Sequence, residues 1–297
     1  MTTPTPATAS ALSATRATRE TYVDVRGARI RVHGSGDPAH PPVLLLHGIG
    51  RSLADWEPQH SRLADEHRVI SVDMPGFGFS QRLPEPTTLR SLAEGVLGTL
   101  DALGEPRPVH VMGNSLGGAV AMQLSALAPD RVATLTLVNS AGFGKEVTIV
   151  LRLLGVPGLG RRLLAAADRS AITRSERALF FDGAFVTEER IDHAVRVARQ
   201  PGAAAVFLEA TRALGTVRGV SAGWRSALLA DVAAHPKPTL VVWGDRDLIL
   251  PAHHLRAARV ALPHAQSHVF ADTGHMPQVE RAAQFAELVR GFLAART

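Results

Sequence analysis

The chain predicts an α/β protein: a mostly parallel sheet with helices on both faces and one inserted helical segment. Three observations carry this. Short apolar runs of strand length alternate with longer segments of helical spacing. The central runs are continuous rather than alternating, as strands covered on both faces must be. The rhythm lapses once, from about Gly142 to Ala230, where helical segments follow one another with no convincing apolar strand run between them.

Thr21 to Val25 and Ala28 to His33 alternate around Arg26-Gly27, which reads as a β-hairpin. Val43 to Leu46 and Arg68 to Val72 are apolar strand runs, the second ending at Asp73. Leu89 to Leu103 repeats its apolar residues at helical spacing and stops at Gly104. Val109 to Met112 is the next strand, Leu116 to Ala128 a helix halted by Pro129, and Val132 to Val138 another strand. Inside the insertion, Ser170 to Phe181, Glu188 to Ala198 and Ala203 to Leu214 read as helices, punctuated by Gly and Pro. A segment this long exceeds an ordinary connection. Thr239 to Trp243 returns to strand, a helix follows Pro251, and Ser267 to Phe270 is the last strand. Val279 to Leu293 closes the chain as one amphipathic helix. The expected organisation is a flexible tail over 1–20, a core from 21–141 and 231–297, and a helical cap over 142–230.

The 297 residues are 45% hydrophobic and 20% charged, an ordinary globular balance. A chain this long can bury roughly 75% of its unfolded surface. It has no cysteine, which excludes disulfides, thiolate catalysis and cysteine-based zinc sites, and fits a cytoplasmic location. The net charge of +5 comes almost wholly from arginine, since Lys145 and Lys237 are the only lysines. The arginines are scattered among acids without a basic block, so no nucleic-acid partner is expected. The first twenty residues lack the basic and apolar regions of a secretory signal. No apolar run reaches the roughly 20 residues of a membrane span.

Four short motifs follow four predicted strands: His47-Gly48, Gly113-Asn-Ser115-Leu-Gly117, Asp247 within WGDRDLILP, and Gly274-His275. Ser115 sits at a strand-to-helix turn with Gly two residues to either side, where only small residues let backbones approach. Such a turn lifts a hydroxyl clear of the sheet beside a helix N-terminus. Serine is a weak nucleophile without a base. Of the thirteen histidines, His275 lies at the sheet edge where Ser115 should point; His47 is its competitor, placed to shape a backbone loop. Asp247 is the expected partner of His275, with Asp245 as the alternative, better placed to stabilise its own turn. The oxyanion donors should be backbone N–H groups of Ile49 and Leu116. His253 and His254, adjacent on a helix, should face apart and not chelate together, and His264 with His268 lacks a third ligand; no metal and no cofactor are expected. The segment Asp73 to Ser80 lacks the third glycine of a dinucleotide loop and reads as a supporting turn.

These residues resemble the α/β-hydrolase fold family. The matching segments are His47 to Gly50, Asp73 to Ser80, GNSLGG at Gly113 to Gly118, Trp243 to Pro251 and GHMPQVE at Gly274 to Glu280, and the resemblance runs from about Thr21 to the C-terminus. It implies an eight-stranded, mainly parallel sheet, a helical cap after the sixth strand, and Ser115, Asp247 and His275 as nucleophile, acid and base. Dehalogenases and epoxide hydrolases of the family carry Asp at the nucleophile, so Ser115 points away from both. Asn114 and FDGAFVTEE at 181–189 are similar to the meta-cleavage-product hydrolases, which cut C–C bonds. Those enzymes usually carry Trp after the catalytic His, where this chain has Met276. Their cap Arg falls by spacing at Ala194, with Arg196 nearby.

The leading expectation is a cofactor-free serine hydrolase cleaving a carboxylic ester or lactone. The alternatives are C–C hydrolysis of a vinylogous diketo acid, perhydrolase or haloperoxidase-type chemistry, and a small-molecule receptor with vestigial catalysis. The substrate should be a small molecule with an apolar portion, because the insertion is rich in Ala, Leu, Val and Phe. The chain is expected as a monomer or homodimer.

Overall fold

A computed structural model describes residues 19–295. The expected tail lies outside the described residues except for its last two, which already belong to the first strand. In chain order the strands are β1 (Arg19–Val25), β2 (Ala28–Ser35), β3 (Pro42–Leu46), β4 (Arg68–Val72), β5 (Val109–Asn114), β6 (Val132–Val138), the two-residue β7 (Gly215–Thr216) and β8 (Gly219–Val220), β9 (Thr239–Gly244) and β10 (Gln266–Phe270). The helices are α1 (Glu57–Leu63), α2 (Leu89–Ala102), α3 (Leu116–Leu127), α4 (Ile149–Leu154), α5 (Leu159–Ala165), α6 (Arg169–Leu179), α7 (Glu188–Ala198), α8 (Ala203–Leu214), α9 (Ala222–Ala234), α10 (His254–Ala261), α11 (Pro277–Glu280) and α12 (Ala282–Ala294).

Eight strands form one sheet in the order β1-β2-β4-β3-β5-β6-β9-β10. The β1–β2 hairpin and the β2–β4 pair are antiparallel; the remaining neighbours are parallel. The continuous apolar runs follow from two cores. On β3, Leu44 and Leu46 enter the core beneath α2, α3 and α9, while Val43 and Leu45 enter the opposite one with Trp56, Phe285 and Val289 from the α1–α12 side. Successive side chains of a strand point to opposite faces, so every position of a doubly covered strand must be apolar. Helix α2 starts at a reciprocal Thr88–Ser91 capping box.

Two elements differ from the sequence expectation. The closing helix is two, α11 and α12, parted at Arg281 (φ −122°, ψ 40°). The buried Gln59 amide donates to Gln278 O (2.7 Å) and Ala282 O (3.1 Å), which holds the carbonyls at the break. The expected insertion boundary at Ala230 falls inside α9, whose Leu228 and Val232 join the main core and which packs on α3. Helices α4 to α8 pack chiefly on one another. The insertion also carries the short β7–β8 pair, stitched by Val220 N to Lys145 O (2.8 Å).

Candidate active site

Ser115 joins β5 to α3 at φ 57°, ψ −117°, a conformation that costs a non-glycine residue about 1–3 kcal/mol. The flanking glycines explain how the turn closes. A Cβ on Gly113 would lie 2.2 Å from Gly117 O, and one on Gly117 would lie 2.3 Å from Leu46 O. Ser115 N–H donates to Val138 O (3.0 Å), and Ser115 O accepts from Ala141 N–H (3.0 Å), so the turn is clamped to the end of β6.

The His275 loop is fastened beside it. Asn114 Nδ2 donates to Val138 O (3.2 Å) and to His275 O (3.0 Å), linking the residue before the serine to the histidine backbone. His275 Nδ1 lies 2.8 Å from Asp247 Oδ2, and both side chains are buried. Asp247 Oδ1 accepts from Ile249 N (2.7 Å) and Leu250 N (2.9 Å), while Oδ2 also accepts from Asn139 Nδ2 (2.6 Å). The carboxylate is thus fixed on every side. Asp245 instead accepts from Thr273 N (3.2 Å) and pairs loosely with Arg246. Nδ1 is therefore the ring nitrogen of His275 that Asp247 engages.

Asn139 escaped sequence reasoning. It sits at φ 44° just past β6, and its backbone N–H donates to Val242 O (2.8 Å). Its only sequence signal is a polar residue closing an apolar strand. Glu280 escaped too. Its carboxylate accepts from the backbone N–H groups of Phe181 (2.8 Å), Asp182 (3.0 Å) and Gly274 (2.5 Å), and His275 N–H donates to Leu179 O (2.7 Å). The insertion is therefore tied directly to the histidine loop. Burial pushes the Glu280 carboxyl up against the pull of those N–H donors. Met276 is fully buried and packs with Phe180 and Val279 at the same seam.

His47 has a different role from His275. Its Nδ1 lies 2.7 Å from Gly48 O and its Nε2 accepts from Met74 N–H (3.0 Å). Burial pushes it down, so it stays neutral and shapes the loop that carries Ile49. Among the described residues, neither Ile49 N–H nor Leu116 N–H donates to another protein group. The Asp73 turn supports this loop: its carboxylate accepts from Leu53 N (2.6 Å), Phe79 N (2.8 Å) and Arg31 (3.2 Å).

Just past Ile49, Arg51 forms a bidentate pair with Asp55 (2.8 Å for both contacts) and a further ion pair with Glu176 of α6. Arg190 of α7 also reaches Asp55 (2.9 Å), and Ser52 Oγ lies 2.7 Å from His193 Nε2. Burial alone would raise the Asp55 carboxyl, but Arg51 and then Arg190 hold it well below the usual carboxylate range. Two cations and two anions thus neutralise one another where the insertion meets the loop.

A pocket enclosing about 570 Å³, its open mouth included, lies over Ser115, Ile49 and Leu116. Its walls come from Ala141, Val147, Leu151, Leu214, Trp224 and Leu250 among others, and are almost wholly apolar. Among the described residues Arg152 is the one charged side chain lining it, and its Nε donates to Val217 O (2.8 Å). Arg196, near the position where the resembled C–C hydrolases carry a cap Arg, is exposed, and Ala194 is half-buried.

The adjacent histidines do not behave as expected. His253 and His254 both turn Nε2 toward Glu146 Oε2, at 3.7 Å and 3.0 Å. His253 is the residue just before α10 rather than a position on its regular face, so the divergence of neighbouring helical side chains does not apply.

An eight-stranded sheet with a serine turn and an acid–histidine pair at its edge defines an α/β-hydrolase. Residues 41–282 match the family described as alpha/beta hydrolase fold, and the chain belongs to it. It is 35% identical over 273 residues to a dihydrolipoyllysine-residue acetyltransferase component of the acetoin cleaving system of Pseudomonas putida, covering 91% of this chain and 68% of that protein. It is 34% identical over 275 residues to a 2-hydroxymuconate semialdehyde hydrolase of Pseudomonas sp. strain CF600, covering 90% and 91%. A meta-cleavage product hydrolase from Pseudomonas fluorescens IP01 superposes with a TM-score of 0.78 at 26% identity, covering 93% of this chain and 98% of that one. Among the described residues no helix is long and apolar enough to cross a membrane.

Proposed function

We propose that the protein is a cofactor-free serine hydrolase that cleaves a carboxylic ester or lactone through an acyl-enzyme on Ser115. His275 Nε2 takes the hydroxyl proton as Ser115 Oγ attacks the carbonyl carbon. Asp247 holds the proton on Nδ1 and stabilises the imidazolium. Ile49 and Leu116 N–H groups receive the negative oxygen. The imidazolium then protonates the leaving alcohol, and a water activated by the same histidine releases the acid. The insertion, residues 142 to about 221, acts as the cap that gates the pocket.

The apolar pocket over Ser115 carries this reading. A substrate carboxylate buried there would need a cation to offset its lost hydration. The half-buried Arg51 and Arg190 are already paired with Asp55 and Glu176, and Arg152 at the pocket wall donates its Nε to Val217 O. An uncharged acyl group fits the apolar walls better.

A second reading, C–C hydrolysis of a vinylogous diketo acid, is supported by the similarity to a 2-hydroxymuconate semialdehyde hydrolase along most of both chains. Under it, Arg152 would meet the substrate carboxylate. A panel of p-nitrophenyl esters beside a ring-fission diketo acid separates the two. The ester reading expects ester turnover that Arg152→Ala leaves intact. The C–C reading expects higher kcat/KM on the diketo acid and a raised KM in Arg152→Ala. Ser115→Ala should lower kcat on the preferred substrate by roughly 10⁴- to 10⁶-fold. A fluorophosphonate probe should label Ser115, and labelling elsewhere, or none, would refute the acyl-enzyme.

A further inference from the structure

We propose that Glu146, His253 and His254 form a binding site for a divalent first-row transition ion of the zinc class, on the outer wall of the pocket and separate from the catalytic groups. His254 Nε2 lies 3.0 Å from Glu146 Oε2, His253 Nε2 lies 3.7 Å from the same oxygen, and all three ligand atoms fall within 4.8 Å of one another. A point equidistant from atoms so spaced lies within a few tenths of an ångström of zinc–nitrogen and zinc–oxygen bond lengths, about 2.0–2.2 Å.

The site is built rather than a chance meeting of surface side chains. The His254 side chain is only 2% exposed. It is wedged beneath Gly144, where a Cβ would come within 2.1 Å of His254 Nε2, and its ring packs edge-on against Trp243 (6.1 Å). One ligand is therefore held rigidly and aimed at Glu146. The other two, His253 and Glu146, are about half exposed, which leaves a way in and room for a water as fourth ligand. Two imidazoles and one carboxylate suit zinc, nickel or cobalt. Calcium and magnesium need all-oxygen cages and should bind poorly.

The location gives the ion a mechanical role. Glu146 lies in the segment entering the insertion. Lys145 O accepts from Val220 N (2.8 Å), and Thr148 N donates to Ile249 O (3.0 Å). Val147, Val220, Ile249 and Leu250 line the pocket. An ion bridging Glu146 to the start of α10 would tie the root of the insertion to the core. It would take no part in the serine chemistry.

The test is calorimetric titration of the EDTA-treated full chain with Zn²⁺, with Mg²⁺ in parallel, together with thermal melts. One Zn²⁺ per chain should bind and raise Tm, because an ion that binds the folded state stabilises it by mass action. Mg²⁺ should do neither. Glu146→Gln and His253→Ala, both at exposed positions, should each keep the wild-type Tm without metal and weaken Zn²⁺ binding by about tenfold or more, since each removes one of three ligands. His254→Ala is avoided because that ring is packed in the interior. Zn²⁺ binding of unchanged strength in both variants, or lost instead in a His264→Ala control, would overturn the site. So would the absence of one-to-one binding to the wild type. None of these readouts depends on which substrate the enzyme cleaves.

Discussion

Replacing Asp247 by Asn exchanges one carboxylate oxygen for an amide group, and the structure decides which oxygen. Oδ1 is faced by two backbone donors, Ile249 N–H and Leu250 N–H. The amide oxygen must stay there, so the new NH₂ takes the place of Oδ2. It then points at His275 Nδ1, 2.8 Å from the present oxygen, and at Asn139 Nδ2, 2.6 Å away. Donors meet donors. The His275 proton is driven from Nδ1 to Nε2, the nitrogen that the proposed mechanism requires bare to accept from Ser115. The corresponding change in a serine protease triad lowers kcat about 10⁴-fold, which is about 5.4 kcal/mol at about 1.36 kcal/mol per decade. The mismatch with Asn139 should cost roughly another 1–3 kcal/mol of stability. Asp245→Asn, by contrast, can keep its amide oxygen on Thr273 N–H and gives up only a loose pair with Arg246, so it should stay within about tenfold of wild type, because such exposed pairs contribute about 0–1 kcal/mol. The assay is kcat for a p-nitrophenyl ester in both variants, with melts to show that each is folded. Wild-type kcat in Asp247→Asn, with Asp245→Asn dead, would refute the assignment.

Removing the Asp55 side chain leaves Arg51 and Arg190 short of a partner where the insertion meets the Ile49 loop. Asp55→Ala should destabilise the chain by about 3–5 kcal/mol, read by denaturant titration, and a loss below about 1 kcal/mol would show that the network carries no weight. His60, bridging Ser35 and Ser71, is pushed down to about 3 by burial and by His33. The unfolded chain takes up that proton near the ordinary 6.5 and the folded chain only near 3, so its contribution is present above pH 6.5 and lost as pH falls toward 3. By pH 5 the loss should be about 2 kcal/mol; His60→Gln should flatten that slope, and an unaltered slope would contradict the account. Leu151→Trp narrows the pocket over Ser115, so kcat/KM should fall for long acyl esters and hold for acetate. An equal effect on both chain lengths would mean that this pocket does not bind the acyl group.

The strands were legible because a doubly covered strand must be apolar at every position, a local property that a window of five residues displays. The order of the four motifs was legible for a related reason: in a parallel sheet every strand delivers its C-terminal end to the same edge. His47-Gly48, Ser115, Asp247 and His275 each follow a strand, and so they share that edge. Helix ends at α11 were less legible, because the break at Arg281 depends on Gln59, more than two hundred residues earlier in the chain.

Residue order by itself determined the fold class and the sheet-edge position of Ser115, Asp247 and His275. Only the tertiary structure decided that Asn139 and two backbone N–H groups hold Asp247, that Glu280 ties Phe181 and Asp182 to the histidine loop, and that Arg51 meets Glu176. Only it brought His253 and His254 together on Glu146. The physical reason is one of range. Periodicity, caps and glycine turns act over a few residues and leave a mark in the sequence. Side-chain pairs between distant segments arise only when the layers dock, and no spacing rule records which donor will face which carboxylate.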